Sequence, residues 1–92
     1  MIQSFKCTDT RLLYEGRGVR RFANIRAIAE RKLQMLDSAA SLDALRSPPG
    51  NRLEPLRANR AGQYSIRVNG QWRVCFVWTP DGPEAVELVD YH

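Results

Sequence analysis

The sequence predicts an α+β fold of two layers, helices first and strands after, and three observations carry the prediction. Ninety-two residues suffice for one small domain that buries little more than half of its unfolded-chain surface. Residues 22–40 repeat apolar side chains at the three-and-four spacing of a helix with one buried face. From Asn51 onward the texture changes to short β-branched and aromatic runs punctuated by Gly, Pro and Asn. One domain over residues 1–92 is therefore expected.

Ile2 to Lys6 reads as a short first strand. Thr8 or Asp9 can cap a brief helix through Leu12, Leu13 and Tyr14 that stops near Gly16 and Gly18, and Arg17, Arg20 and Arg21 follow as a basic loop. In the longer helix Phe22, Ile25, Ala29, Leu33, Leu36 and Ala40 form the apolar stripe, with Ile28 beside them. Arg26, Glu30, Arg31, Gln34 and Asp37 take its other face. Ser41 can cap one further turn to Arg46, closed by Ser47-Pro48-Pro49-Gly50, whose prolines suit neither a helix interior nor a central strand. Four strands are expected next, at Arg52–Leu56, in the Tyr64 and Trp72 runs, and at Ala85–Tyr91 after the turn Thr79-Pro80-Asp81-Gly82-Pro83.

The hairpin between Tyr64 and Phe76 contains a conflict. Asn69-Gly70 suggests a two-residue turn, but that register sets Trp72 against Arg67 and Arg73 against Ile66, so the apolar faces disagree. A shift by one residue, through a three-residue loop or a bulge with Gly70 left-handed, puts Tyr64, Ile66 and Val68 on one face with Trp72, Val74 and Phe76. Arg67 and Arg73 then share the opposite face, where like charges repel unless something negative lies between or beside them. A phosphate would serve, and so would a carboxylate such as Glu87 or Asp90.

Fourteen Lys and Arg against ten Asp and Glu give a net charge of +4. Only Lys6 and Lys32 are lysines, so the cationic surface is mostly guanidinium, which grips phosphate with paired hydrogen bonds and stacks on bases. A polyanionic partner is favoured; the alternative is a solvated basic surface that keeps the protein soluble. Cys7 and Cys75 fall in strand-like runs, and no basic-headed apolar segment opens the chain, so a reduced, cytoplasmic protein is expected. No apolar run approaches membrane-spanning length, and one histidine with two distant cysteines is a poor ligand set, so neither membrane, metal nor cofactor is expected.

Cleaving RNA without a metal needs an activated 2′-oxygen, a stabilised phosphorane and a protonated 5′-oxygen. Arg73, fixed on a strand between Trp72 and Val74, suits the second task. His92, the one histidine, has its ordinary pKa near neutrality and suits the third. Asp90 reads as an orienting group or a partner for an arginine, and Tyr91 as a group that orients a phosphate or stacks on a base. Glu54 and Arg57 bracket Pro55-Leu56, so a strand and turn can bring both beside Arg73; of the two, only Glu54 can accept a proton. Arg52, Arg60 and Arg67 are candidate contacts to an RNA backbone.

These residues resemble a family. Ile2-Gln3-Ser4-Phe5-Lys6, Arg52-Leu53-Glu54-Pro55-Leu56, Gly62-Gln63-Tyr64-Ser65-Ile66-Arg67-Val68 with Gln71-Trp72-Arg73-Val74, and the ending Val89-Asp90-Tyr91-His92 are similar to the HigB toxins of the RelE/ParE superfamily, close to the GraT branch. The resemblance implies a microbial-RNase-like fold, a mostly antiparallel sheet packed against two amino-terminal helices. It implies a ribosome-dependent mRNA endonuclease that cuts in the A site by 2′-oxygen attack. It also implies a HigA-like helix-turn-helix antitoxin as partner, beside the ribosome and mRNA. Arg73, Asp90, Tyr91 and His92 match the family's active-site pattern. Many members carry His where this chain has Glu54 and Lys where it has Arg57, which leaves the general base open and implies a milder toxin. An alternative from a different class is a non-catalytic inhibitor that binds nucleic acid, the ribosome or a topoisomerase through the same basic face, as in the ParE side of the superfamily.

Overall fold

The strand-rich half of the chain satisfies its backbone hydrogen bonds in one antiparallel sheet of order β1-β2-β3-β4, formed by Glu54–Pro55, Tyr64–Arg67, Trp72–Thr79 and Gly82–Asp90. The computed structural model describes residues 1–91. Helices α1 (Thr8–Tyr14) and α2 (Arg26–Ser38) form the second layer, joined by a 3₁₀ turn at Arg20–Ile25. Leu13, Phe22, Ile25, Leu33 and Leu36 from the helical side pack on Ile66, Val74, Phe76, Val86 and Leu88 from the sheet.

The β2–β3 hairpin adopts the register that makes the apolar faces agree, with Tyr64 opposite Phe76, Ile66 opposite Val74 and Arg67 opposite Arg73. Of the two loops expected, the three-residue one forms, Val68 N–H donating to the Trp72 carbonyl at 2.9 Å across Asn69, Gly70 and Gln71, and the bulge with a left-handed Gly70 does not. Asn69 shapes the loop: its Oδ1 accepts hydrogen bonds from the backbone N–H groups of Gln71 and Trp72, each at 2.8 Å.

Several local expectations are corrected. The first strand shrinks to a single parallel bridge, Phe5 to Val86, flanked by hydrogen bonds from Lys6 N–H to Val86 O and from Val86 N–H to Ser4 O. Neither Thr8 nor Asp9 caps α1; Cys7 holds the cap position without a side-chain bond. Buried Thr10 instead turns its hydroxyl to the sheet and accepts the Leu88 N–H at 3.0 Å. The carboxyl end of α1 does stop at Gly16, with φ +87° and paired bonds from Gly16 N–H to Leu13 O and Arg17 N–H to Leu12 O. Arg20 and Arg21 start the 3₁₀ turn rather than lying in a loop, so the continuous helix expected from Phe22 is divided at Ile25 and Arg26. Ala40 lies beyond α2 and is exposed, and Ile28 is only half-buried. The first strand of the sheet keeps only Glu54 and Pro55, while the last starts three residues early, at Gly82.

That early start depends on a bulge. Cys75 pairs with Glu87 and Val77 with Glu84, so Ala85 and Val86 together oppose Phe76, and Ala85 takes φ +51°. The β3–β4 turn closes on Gly82, whose φ is +131° and whose missing Cβ would collide with the Met1 carbonyl. Gly82→Ala is expected to destabilise the fold by at least about 1–3 kcal/mol, from the backbone conformation alone. Urea denaturation measures this; an alanine variant within about 0.5 kcal/mol of the parent would show that the amino-terminal segment moves aside freely.

Candidate active site

Strand alternation sorts the sheet into two faces. Ile66, Val74 and Leu88 point into the core, while Ser65, Arg67, Arg73, Cys75, Glu87 and Tyr91 belong by register to the other side. Arg73 dominates that side. Its Nε donates to Ser65 Oγ at 2.7 Å and its Nη2 to the Arg52 carbonyl at 2.7 Å, and Nη2 stands 3.6 Å from Glu54 Oε1. Its side chain is only 12% exposed while that of Glu54 is 54% exposed, so a fixed cation sits beside a carboxylate that solvent or substrate can reach.

The carboxylate that meets Arg73 is Glu54, from β1, while Glu87 pairs with Arg60. Arg67 reaches the other way, its Nη2 lying near Gly70 over the hairpin loop. Arg52 contributes through its backbone: it adopts a left-handed conformation, φ 45° and ψ 54°, and its carbonyl accepts from Arg73 while its side chain is exposed. Glu87 is engaged by Arg60, whose Nη1 lies 3.3 Å from Glu87 Oε1 and 3.2 Å from Gln63 Oε1.

Tyr91 follows directly on β4 and is 44% exposed. Its N–H donates to the Gln71 carbonyl at 2.6 Å, its ring centroid lies 6.0 Å from the Arg73 guanidinium carbon, and its hydroxyl meets Cys75 Sγ at 3.7 Å. Burial, then the hydrogen bond with Cys75, raises the Tyr91 pKa above its ordinary value, so at neutral pH the group is a phenol and a donor. Asp90 sits opposite Trp72, on the alternate side of β4 from Tyr91, and accepts from Gln71 Nε2 at 3.1 Å. Arg57 is exposed, in the extended residue that precedes the 3₁₀ turn Ala58–Arg60. His92 lies outside the described residues.

Arg73, Glu54, Tyr91 and the Arg52 carbonyl are thus brought together. Arg60 stands with Glu87, and Arg57 makes no ion pair among the described residues. Ser65, Cys75 and Gln63 were not anticipated. The hairpin register carries the signal for the first two, since both alternate onto the Arg73 side; nothing local marks Gln63.

A four-stranded antiparallel sheet with two helices packed on one face is the RelE-like toxin architecture. A solved chain of the YoeB-YefM complex from Staphylococcus aureus shares it at a TM-score of 0.61 and 16% identity, over 100% of this chain and 98% of that one, a likeness of fold. Residues 5–92 match the HigB-like toxin family, described as the RelE-like toxin of the type II toxin-antitoxin system HigB, and the chain belongs to that family. It is 48% identical over 62 residues to Toxin HigB-1 of Vibrio cholerae, covering 67% of this chain and 64% of that one. An uncharacterised protein of Haemophilus influenzae is 41% identical over 54 residues, 59% of this chain and 54% of its own length. The chain therefore spans less than two thirds of those two relatives. Endoribonuclease HigB of Proteus vulgaris is 31% identical over 94 residues and is matched along 100% of both chains.

Proposed function

We propose that residues 1–92 form one toxin domain that cleaves mRNA in the ribosomal A site, arrests translation and is neutralised by a HigA-like helix-turn-helix antitoxin. The observation that carries this reading is the Arg73 guanidinium, held by Ser65 and the Arg52 carbonyl, 3.6 Å from Glu54 and within 6.0 Å of the Tyr91 ring. The name of the Proteus vulgaris relative, an endoribonuclease, supports it.

In this mechanism Glu54 takes the 2′-hydroxyl proton, and the 2′-oxygen bonds to phosphorus as the bond to the 5′-oxygen breaks. Arg73 stabilises the charge that builds on the phosphorane, through a fork of donors already in place before substrate arrives. His92 gives its proton to the departing 5′-oxygen, leaving a 2′,3′-cyclic phosphate and a 5′-hydroxyl. Tyr91 orients the phosphate or stacks on a base, and Asp90 steadies the strand end. Arg52, Arg57, Arg60 and Arg67 follow the RNA backbone, so binding weakens as salt rises.

The test is cleavage of an mRNA positioned in the A site of purified ribosomes. Wild type is expected to cut only when ribosomes are present, Glu54→Gln to lose about 10²–10⁴ in rate, and a variant lacking His92 to lose a similar factor. Arrested translation without a cut would instead assign the chain to the inhibitory binders.

A further inference from the structure

Cys75 is a fully buried thiol in the middle of β3, between its cross-strand partners Ser65 and Glu87. Its one side-chain hydrogen-bond partner among the described residues is the Tyr91 hydroxyl, 3.7 Å from Sγ. Tyr91 itself lies beyond the last strand residue, where its half-exposed ring faces the Arg73 guanidinium at 6.0 Å and its hydroxyl meets Cys75. Its backbone is tied to Gln71, but that bond leaves the ring free to turn.

We propose that Cys75 is a positioning residue of this site, holding the Tyr91 phenol over the sheet face between Arg73 and Arg60; the proposal rests on the RNA-cleavage reading above. The Arg73 guanidinium carbon lies 6.0 Å from the Tyr91 ring, and Glu87, which faces Cys75 across the strand pair, holds Arg60 at 3.3 Å, so the four groups share one cluster. The choice of a thiol has a chemical reason. Burial raises the Cys75 pKa, so the group remains an uncharged SH that adds no negative charge where a phosphate is to bind. Thiol and phenol each carry a proton and each can donate in this contact, so the ring is pinned without either arginine being drawn into the bond.

Four variants test this: Cys75→Ala, Cys75→Val, Cys75→Ser and the pair Cys75→Ala with Tyr91→Phe. On ribosome-bound mRNA, Cys75→Ala is expected to lower kcat about three- to tenfold, the size of one net hydrogen bond, with KM little changed. Cys75→Val, which refills the space, should show the same loss, and Cys75→Ser should recover most of it. Once Tyr91→Phe has removed the hydroxyl, Cys75→Ala should cost nothing more. An independent readout is the ultraviolet titration of tyrosinate, with the Tyr91 contribution taken as the difference from Tyr91→Phe: its midpoint should fall in Cys75→Ala. Full activity in Cys75→Val, additive losses in the pair, or an unmoved midpoint would overturn the role of Cys75 while leaving the nuclease intact. Wild-type protein that cuts no RNA would overturn the cleavage reading, and with it any part for this contact in catalysis.

Discussion

Arg73→Ala is expected to reduce cleavage by about 10²–10³, the loss that follows removal of one preorganised donor to a developing oxyanion. The size reflects how completely the side chain is fixed before substrate binds. Ser65 Oγ, the Arg52 carbonyl and the Glu54 carboxylate constrain it from three directions, so little reorganisation remains for the reaction step. Arg73→Lys keeps the charge but loses the planar fork, and should recover only part of the rate. Single-turnover kinetics on ribosome-bound mRNA measure both. Because Ala also strips Ser65 and Glu54 of their partner, thermal unfolding of each variant must accompany the rates. An alanine variant within about tenfold of wild type would move the stabilising role to another arginine.

The second large effect concerns folding. Phe22 is fully buried where the 3₁₀ turn meets the sheet, and its ring packs edge-on against Trp72 at 5.4 Å and 88°. Arg21 lies over the same ring, 4.7 Å from its centroid. Phe22→Ala therefore removes core volume, an aromatic pair and a cation–π contact together, and is expected to cost about 3–5 kcal/mol. Small domains hold only about 5–15 kcal/mol in total, so this variant should be partly unfolded under conditions in which the parent is native. Urea titration followed by Trp fluorescence reports it directly, since Trp72 is the partner lost. A cost below about 1 kcal/mol would mean that neighbouring side chains collapse into the space.

The parts of this fold visible in the sequence were those in which two faces had to agree. The register of the Tyr64 and Trp72 strands follows from placing Ile66 and Val74 together, and the facing Arg67 and Arg73 follow from that register alone. The stripe Phe22, Ile25, Ala29, Leu33 and Leu36 is buried for the same reason. What remained hidden depends on contacts distant in the chain. The Arg60–Glu87 pair spans 27 residues, and the Leu88 bond to Thr10 spans 78. The choice between a three-residue loop and a bulge at Gly70 stayed open in the sequence, because it is decided by side-chain capping from Asn69, which shapes the loop without a left-handed residue. Glu54 was legible beside Arg73, because a strand and turn bring it to that face, but its ion pair with Arg73 needed the crossing from β1 over β2, which no local pattern encodes.

The parallel bridge at Phe5 has a consequence for how the sheet meets other chains. An uncovered strand invites a foreign strand to pair with it, and β4, nine residues long, would be the most inviting edge in the molecule. The amino-terminal segment occupies the hydrogen-bonding groups of Pro83 and Val86 along that edge. At the opposite margin β1 offers only two residues, one of them a proline with no N–H to donate. Self-templating is thereby blocked along the first half of β4 and at β1, so a foreign strand that lengthens the sheet is confined to the carboxyl half of β4.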